Sequence, residues 1–191
     1  MRKLVLSMFM SVDGFIDGLG GEFIGPSWSS DLDRWTGEMV ERFDTLVYGR
    51  VAWQLMSQYW PNAEVDPNTP APQRELARFM NNSKKIVFSR TLKDTSAWNN
   101  SVIADGSVRD VLEAEKRGSG CDMVIFAGAK FAQTAIRERL VDEYWLLTIP
   151  ELFGGGSRLF DGSIRQQLSL LESKQMDTGA ILNKYKAGSQ V

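Results

Sequence analysis

Short, continuous apolar runs alternate along this chain with longer stretches in which apolar residues recur every three or four positions. Five runs read as strands: Lys3–Met10, Thr45–Tyr48, Lys85–Ser89, Met123–Ala127 and Tyr144–Pro150. Continuous rather than alternating apolar residues mark strands covered on both faces, as in a parallel sheet. Between them, Asp31–Phe43, Val51–Tyr59, Gln73–Asn81, Ser107–Lys116 and Lys130–Leu140 carry helical spacing. Asp31 and Ser107 are residue types that cap helix N-termini, and Gly118 stands just past a helix end. The alternation predicts an α/β domain with helices on both faces of a central sheet.

The C-terminal part breaks that rhythm. Gln167–Lys174 and Ala180–Lys186 flank the turn signal Asp177-Thr-Gly179, which predicts an antiparallel hairpin extending a mostly parallel sheet. Asn62–Pro72 holds three of the six prolines and reads as a loop within the domain. Ala187–Val191 reads as a loose tail. No repeat or internal linker divides the chain, and 191 residues fit a single domain spanning 1–191.

Composition then narrows the chemistry. A net charge of −2 gives no basic footprint for nucleic acid. No apolar run approaches the roughly 20 residues of a membrane span. The opening Met1–Met10 joins two positive charges to a short apolar run without a small-residue cleavage site, so a cytoplasmic protein is expected. The absence of histidine excludes Ser-His-Asp and Cys-His nucleophiles and histidine metal sites. The single cysteine, Cys121, precedes a strand and reads as a core thiol. Carboxylates, hydroxyls, lysine, arginine or a borrowed cofactor remain, and a cofactor suits this composition best.

Three strand ends carry the candidate site. Thr45-Leu-Val-Tyr-Gly-Arg50 leads into a helix and places Gly49 and Arg50 at its start. Ile86-Val-Phe-Ser-Arg-Thr91 ends a strand with Ser89, Arg90 and Thr91. Phe126-Ala-Gly-Ala-Lys130 puts Gly128 at another strand-to-helix turn. In a parallel sheet all three ends share the edge where α/β proteins bind ligands. Backbone N–H groups at Gly128 and Ala129 could hold a pyrophosphate, and Arg50 and Arg90 a ribose 2′-phosphate. No acidic residue stands at the second strand's end and G-x-G-x-x-G is missing, so a nicotinamide cofactor would be NADPH rather than NADH. Each residue taken alone has a plainer reading, as turn glycine or solvated charge. Gly154-Gly-Gly156 fits a ligand approach or a flexible loop equally, and Lys130 reads as a solvated first-turn lysine. Trp28, Trp53 and Trp60 read first as core or anchoring residues, with Trp60 the candidate substrate wall.

The chain resembles the dihydrofolate reductase-like proteins grouped with the reductase domain of bacterial riboflavin-biosynthesis deaminase–reductases. Ser11-Val-Asp-Gly14, Leu46-Val-Tyr-Gly-Arg50 with Tyr59-Trp60, Ser89-Arg-Thr-Leu92, Ala127-Gly-Ala129, Leu140-Val-Asp-Glu143 and Gly155-Gly-Ser-Arg-Leu-Phe160 follow that family's order. The resemblance implies a three-layer α/β/α fold, NADPH as hydride donor, a homodimer, and cofactor contacts from Gly49, Arg50, Ser89, Arg90, Gly128 and Ala129. Leu159 and Phe160 match a segment near the cofactor or sheet edge, where packing is the other reading. The deaminase half, with its H-x-E and P-C-x-x-C elements, has no counterpart. The second glycine beside Gly128 is Ala129 here. Asp13, in the S-x-D-G turn, is the candidate proton donor, with turn capping as the competing role and Asp31, Asp33 and Glu38 as rivals. The expected activity is NADPH-dependent reduction of a small planar heterocycle, pterin- or pyrimidine-like, or of a carbonyl or imine. The alternatives are a catalytically silent nucleotide- or pterin-binding module and a ribityl-pyrimidine reductase.

Overall fold

The N-terminal strand β1 (Leu4–Ser11) lies inside the sheet, paired in parallel with β5 (Asp122–Ile125) on one side and β6 (Glu143–Ile149) on the other. Its side chains alternate between two cores: Val5 faces one cluster, and Leu4, Leu6 and Met8 face the other. That two-sided burial explains the continuous apolar run. The computed structural model describes residues 1–188.

Next come α1 (Ser30–Arg42), β2 (Phe43–Gly49), α2 (Arg50–Val65), α3 (Ala71–Asn82), β3 (Lys84–Phe88) and β4 (Ser101–Ile103). The chain continues through α4 (Val108–Arg117), β5, α5 (Ala129–Arg137) and β6 to the hairpin of β7 (Leu168–Gln175) and β8 (Ile181–Ala187). The eight strands run in the order β4-β3-β2-β5-β1-β6-β8-β7; β8 is antiparallel to β6, and β7 to β8. Helices α1, α2 and α3 cover one face through Trp35, Met39, Trp53 and Phe79. On the other face α4 and α5 pack through Leu112, Phe131 and Ile136. The three-layer α/β/α architecture with a C-terminal hairpin stands as expected.

Several local expectations need correction. Asn62–Pro72 is not all loop, since α2 runs through Pro61 to Val65 and α3 starts at Ala71. Proline inside a helix forfeits a backbone hydrogen bond. Here Asn81 of α3 binds the Trp60 carbonyl at 3.2 Å and Glu64 at 2.6 Å, so tertiary contacts hold the last turn. Ser29, not Asp31, caps α1, accepting from the Leu32 N–H at 3.2 Å. Phe43 opens β2 rather than closing α1. Ala187 belongs to β8; Ser189–Val191 of the expected tail lie outside the described residues. Cys121 is exposed in the turn before β5, not in the core.

The edge of the sheet opposite the strand ends is locked by charge. Glu143 accepts from Lys3 at 2.6 Å and Arg42 at 2.9 Å, and Arg42 also reaches Asp122 at 3.1 Å. Burial opposes the Glu143 carboxylate, yet these cations hold it below its usual range. A cavity of about 880 Å³ also opens on this side, between α1 and α3 beside Phe43 and Asp44, but the cofactor candidates singled out from the sequence gather at the carboxyl ends of the parallel strands. The sheet ends in β4 on one side and in β7 on the other, where Leu170 and Leu171 are exposed beside a bulge.

Candidate functional site

Two helix N-termini meet at the carboxyl edge. Helix α2 begins at Arg50 after Gly49, and α5 begins at Ala129 after Gly128. The glycines interlock with the opposite helices. A Cβ on Gly49 would lie 3.0 Å from Phe131 Cβ, and one on Gly128 would lie 2.9 Å from Ala52 Cβ. Gly128 also takes φ +92°, which side chains rarely adopt. Only glycine at both places lets the two helix starts come this close.

Neither helix has a side-chain cap or an acid in its first turn, whereas Ser29 caps α1 and Ser107 caps α4, each followed by first-turn acids. Uncapped N–H groups at the positive ends of two helix dipoles form an anion cradle. Arg50 and Lys130 add exposed cations beside it, Arg50 donating to Gln54 at 2.8 Å. The donor set fits a pyrophosphate. A cleft of about 400 Å³ opens there, lined by Gly49, Arg50, Gly128, Ala129 and Lys130 on one side.

Four sequence candidates therefore share the cleft: Gly49, Arg50, Gly128 and Ala129. Ser89 and Arg90 follow β3, the neighbour of β2, and do not line it. At about 5 Å per strand they lie roughly 10 Å along the edge from Gly128. The Ser89 hydroxyl accepts from the N–H groups of Thr91 and Leu92 at 3.1 and 2.9 Å and shapes the turn that carries exposed Arg90. Trp60 does not wall the cleft. One turn beyond Met56, it donates to that residue's sulfur at 3.2 Å, so Met56 faces the ligand space and Trp60 backs it.

Asp13 sits on the loop after β1 with its carboxylate engaged. It accepts from the Ser11 hydroxyl at 2.5 Å and from the N–H groups of Phe153 and Gly154 at 3.1 and 2.9 Å. The Ser11 bond above all, with the two backbone donors, holds the group below the usual carboxylate range. An ionised carboxylate so occupied clasps loops together and is a poor acid. The rivals Asp31 and Glu38 are tied up as well, Asp31 with Lys174 at 2.6 Å and Glu38 with Lys184 at 2.6 Å. The indole of Trp28 donates to Asp33 at 2.6 Å.

The glycine run serves this clasp rather than a phosphate. Asp17 accepts from the Ser157 N–H at 2.5 Å, and a Cβ on Gly156 would strike the Asp17 carbonyl. A Cβ on Gly155 would lie 2.6 Å from Leu19. Phe15 pairs with Arg158 as an antiparallel bridge, the guanidinium 4.5 Å above the ring. Leu159 is fully buried, and Phe160, though partly exposed, packs on Tyr144; neither lines the cleft.

The other half of the cleft escaped sequence reasoning. Phe9, Phe126, Leu55 and Met56 line it from the sheet and α2, and Ile16 and Phe23 from the β1–α1 loop. Phe9 and Phe126 stand at or just past strand ends, which was a usable signal. The loop residues follow no period and gave none.

Comparison with known proteins identifies the family. The RibD C-terminal domain family matches residues 2–182. YyaP, an uncharacterized protein of Bacillus subtilis (strain 168), is 31% identical over 186 residues, covering 96% of this chain and 94% of that protein. A Shewanella sp. PV-4 protein ascribed to riboflavin biosynthesis superposes with TM-score 0.74 at 20% identity, covering 99% of this chain and 100% of that one. Dihydrofolate reductase from Enterococcus faecalis, solved with NADP(H) and RAB-propyl, gives TM-score 0.62 at 17% identity, covering 98% and 97%. The two structural likenesses concern the fold.

Proposed function

The chain belongs to the RibD C-terminal domain family, and from that membership we propose that it is an NADPH-dependent reductase working in the cleft between α2 and α5. The observation that carries the reading is the pair of uncapped, glycine-apposed helix N-termini beside Arg50 and Lys130. Backbone N–H groups at the starts of α2 and α5 would hold the pyrophosphate. Arg50, with Arg90 further along the edge, would take the ribose 2′-phosphate by paired N–H contacts. The cofactor, when bound, supplies a hydride to an acceptor. The apolar walls Phe9 and Phe126 would orient the flat rings and keep water from them.

Asp13 is assigned to holding the loop after β1 on the loop after β6, so the proton would come from solvent. A homodimer is proposed through the free edge of β7, where Leu170 and Leu171 are exposed. Light scattering of the wild type against Leu170→Lys tests it; an unchanged mass removes this interface.

The test of the main reading is a titration with NADPH and with NADH, followed by quenching of the six tryptophans and by calorimetry. Tight NADPH binding with much weaker NADH binding is the expected result. If neither binds, the reductase reading fails.

A further inference from the structure

We infer that the acceptor half of the cleft takes a neutral, conjugated ring of the quinone type and rejects phosphorylated aminopyrimidines. This rests on the reductase reading above. The acceptor half is walled by Phe9, Ile16, Phe23, Leu55, Met56 and Phe126. Phe23 and Leu55 at its mouth are 68% and 55% exposed, so even the entrance is apolar. The cations lining the cleft, Arg50 and Lys130, start α2 and α5 and stand with the helix N–H groups. Among the described residues one carboxylate lines the cleft, that of Asp17, which is bound to the Ser157 N–H at 2.5 Å.

Two consequences follow from this lining. An aminopyrimidine or pterin presents more donors and acceptors than Asp17 and Ser157, the polar side chains of the lining other than Arg50 and Lys130, can pair. Each group that loses water without a partner weakens binding by about tenfold or more. A quinone presents two carbonyl acceptors on an otherwise apolar ring. Secondly, an imine accepts hydride efficiently once its nitrogen is protonated, and among the described residues the one acid lining the cleft, Asp17, is held as an acceptor by the Ser157 N–H. A quinone is electrophilic without prior protonation. The exchange balances as quinone, reduced nicotinamide and one proton giving hydroquinone and oxidised nicotinamide. The quinone gains two electrons, and solvent at the open mouth supplies the proton.

The experiment uses the full chain and reads binding before turnover. Affinities for 2-methyl-1,4-naphthoquinone and for a phosphoribosylamino-pyrimidine are measured by calorimetry, with and without NADP⁺, and NADPH affinity is measured separately. The quinone is expected to bind at least tenfold more tightly than the pyrimidine and to be the one that oxidises NADPH. Leu55→Asn, which adds polarity without charge beside Arg50, is expected to weaken quinone binding at least tenfold with NADPH affinity unchanged. Leu55 is more than half exposed, so the fold tolerates the change, and Phe23→Ser on the loop gives a second variant. Failure of NADPH to bind overturns the reductase reading itself. Normal NADPH binding with the pyrimidine bound as well as the quinone, or with both variants leaving quinone affinity unchanged, overturns this inference alone.

Discussion

Replacing Gly128 with alanine tests the packing that brings the two helix starts together. Gly128 has φ +92° and ψ +97°, outside the basins open to other residues, and holding alanine there costs about 1–3 kcal/mol. The added methyl would lie 2.9 Å from Ala52 Cβ, and overpacking of this kind costs about 1–3 kcal/mol more. The substitution is therefore expected to destabilise the protein by about 4 kcal/mol, a large share of the roughly 5–15 kcal/mol available to a domain. Ala52→Gly removes the opposing methyl and alone costs about 1 kcal/mol as a helix glycine. In the double variant the strain and the helix penalty stay while the clash is gone, so the loss falls short of the sum by about 1–3 kcal/mol. Urea unfolding with an unchanged m value measures all four proteins. NADPH affinity should be lost with Gly128→Ala and partly return in the double variant. Losses that add within about 0.5 kcal/mol would refute the argument, because residues that do not touch behave that way.

Arg50→Ala and Arg90→Ala are each expected to weaken NADPH binding about tenfold and to leave NADH binding unchanged; equal losses for the two cofactors in calorimetry would remove the 2′-phosphate assignment. Lys85 is fully buried, donating to the Asn81 and Asn99 carbonyls at 2.7 and 2.8 Å, and burial pushes its ammonium down to about 8. The unfolded chain then holds more protons than the fold between about pH 8 and 10.5, so stability rises with pH across that window by up to about 3 kcal/mol. Urea unfolding at pH 7.5 and 9.5 should show this rise in the wild type and not in Lys85→Met. Asp13→Asn is expected to leave the pH profile of turnover in place; loss of a fall in rate with rising pH that the wild type shows would return Asp13 to the role of proton donor. The Asp13 carboxylate is held low, so its stabilising effect should be present above about pH 4 and fade as pH falls through its lowered value, as acid unfolding of the variant would show. Exposed Cys121 should react with a thiol reagent in the native protein at one equivalent per chain.

The layered plan was legible because two-sided burial writes itself into continuous runs such as Leu4–Met8 and Leu46–Tyr48. Strand β4 was not, since three residues of middling exposure at the end of a sheet carry no pattern. Pro61 misled because the force that carries α2 past it comes from Asn81, 20 residues on, and no local rule contains that contact. The cradle glycines were visible as strand-end signals. Their interlock with Ala52 and Phe131 was not, because sequence shows a glycine and not what approaches it. The apolar acceptor wall was hidden for a similar reason: Phe9, Met56 and Ile16 become neighbours only when a strand, a helix and an aperiodic loop converge.

The position of β1 in the sheet also governs when the protein can fold. Val5 pairs with Val124 and with Glu143, so the first strand synthesised waits for neighbours made well over a hundred residues later. At roughly 5–20 residues per second this leaves β1 unpartnered on the ribosome for about 6–24 s until β5 is made, and its second neighbour β6 comes later still. Its apolar side chains are meanwhile open to misassociation, and pairings this distant in sequence close slowly. Folding yield should accordingly depend on chaperone supply more than final stability would indicate. The clasp between the loops after β1 and β6 forms only at the end of that wait, so the ligand cleft is among the last parts of the molecule to take shape.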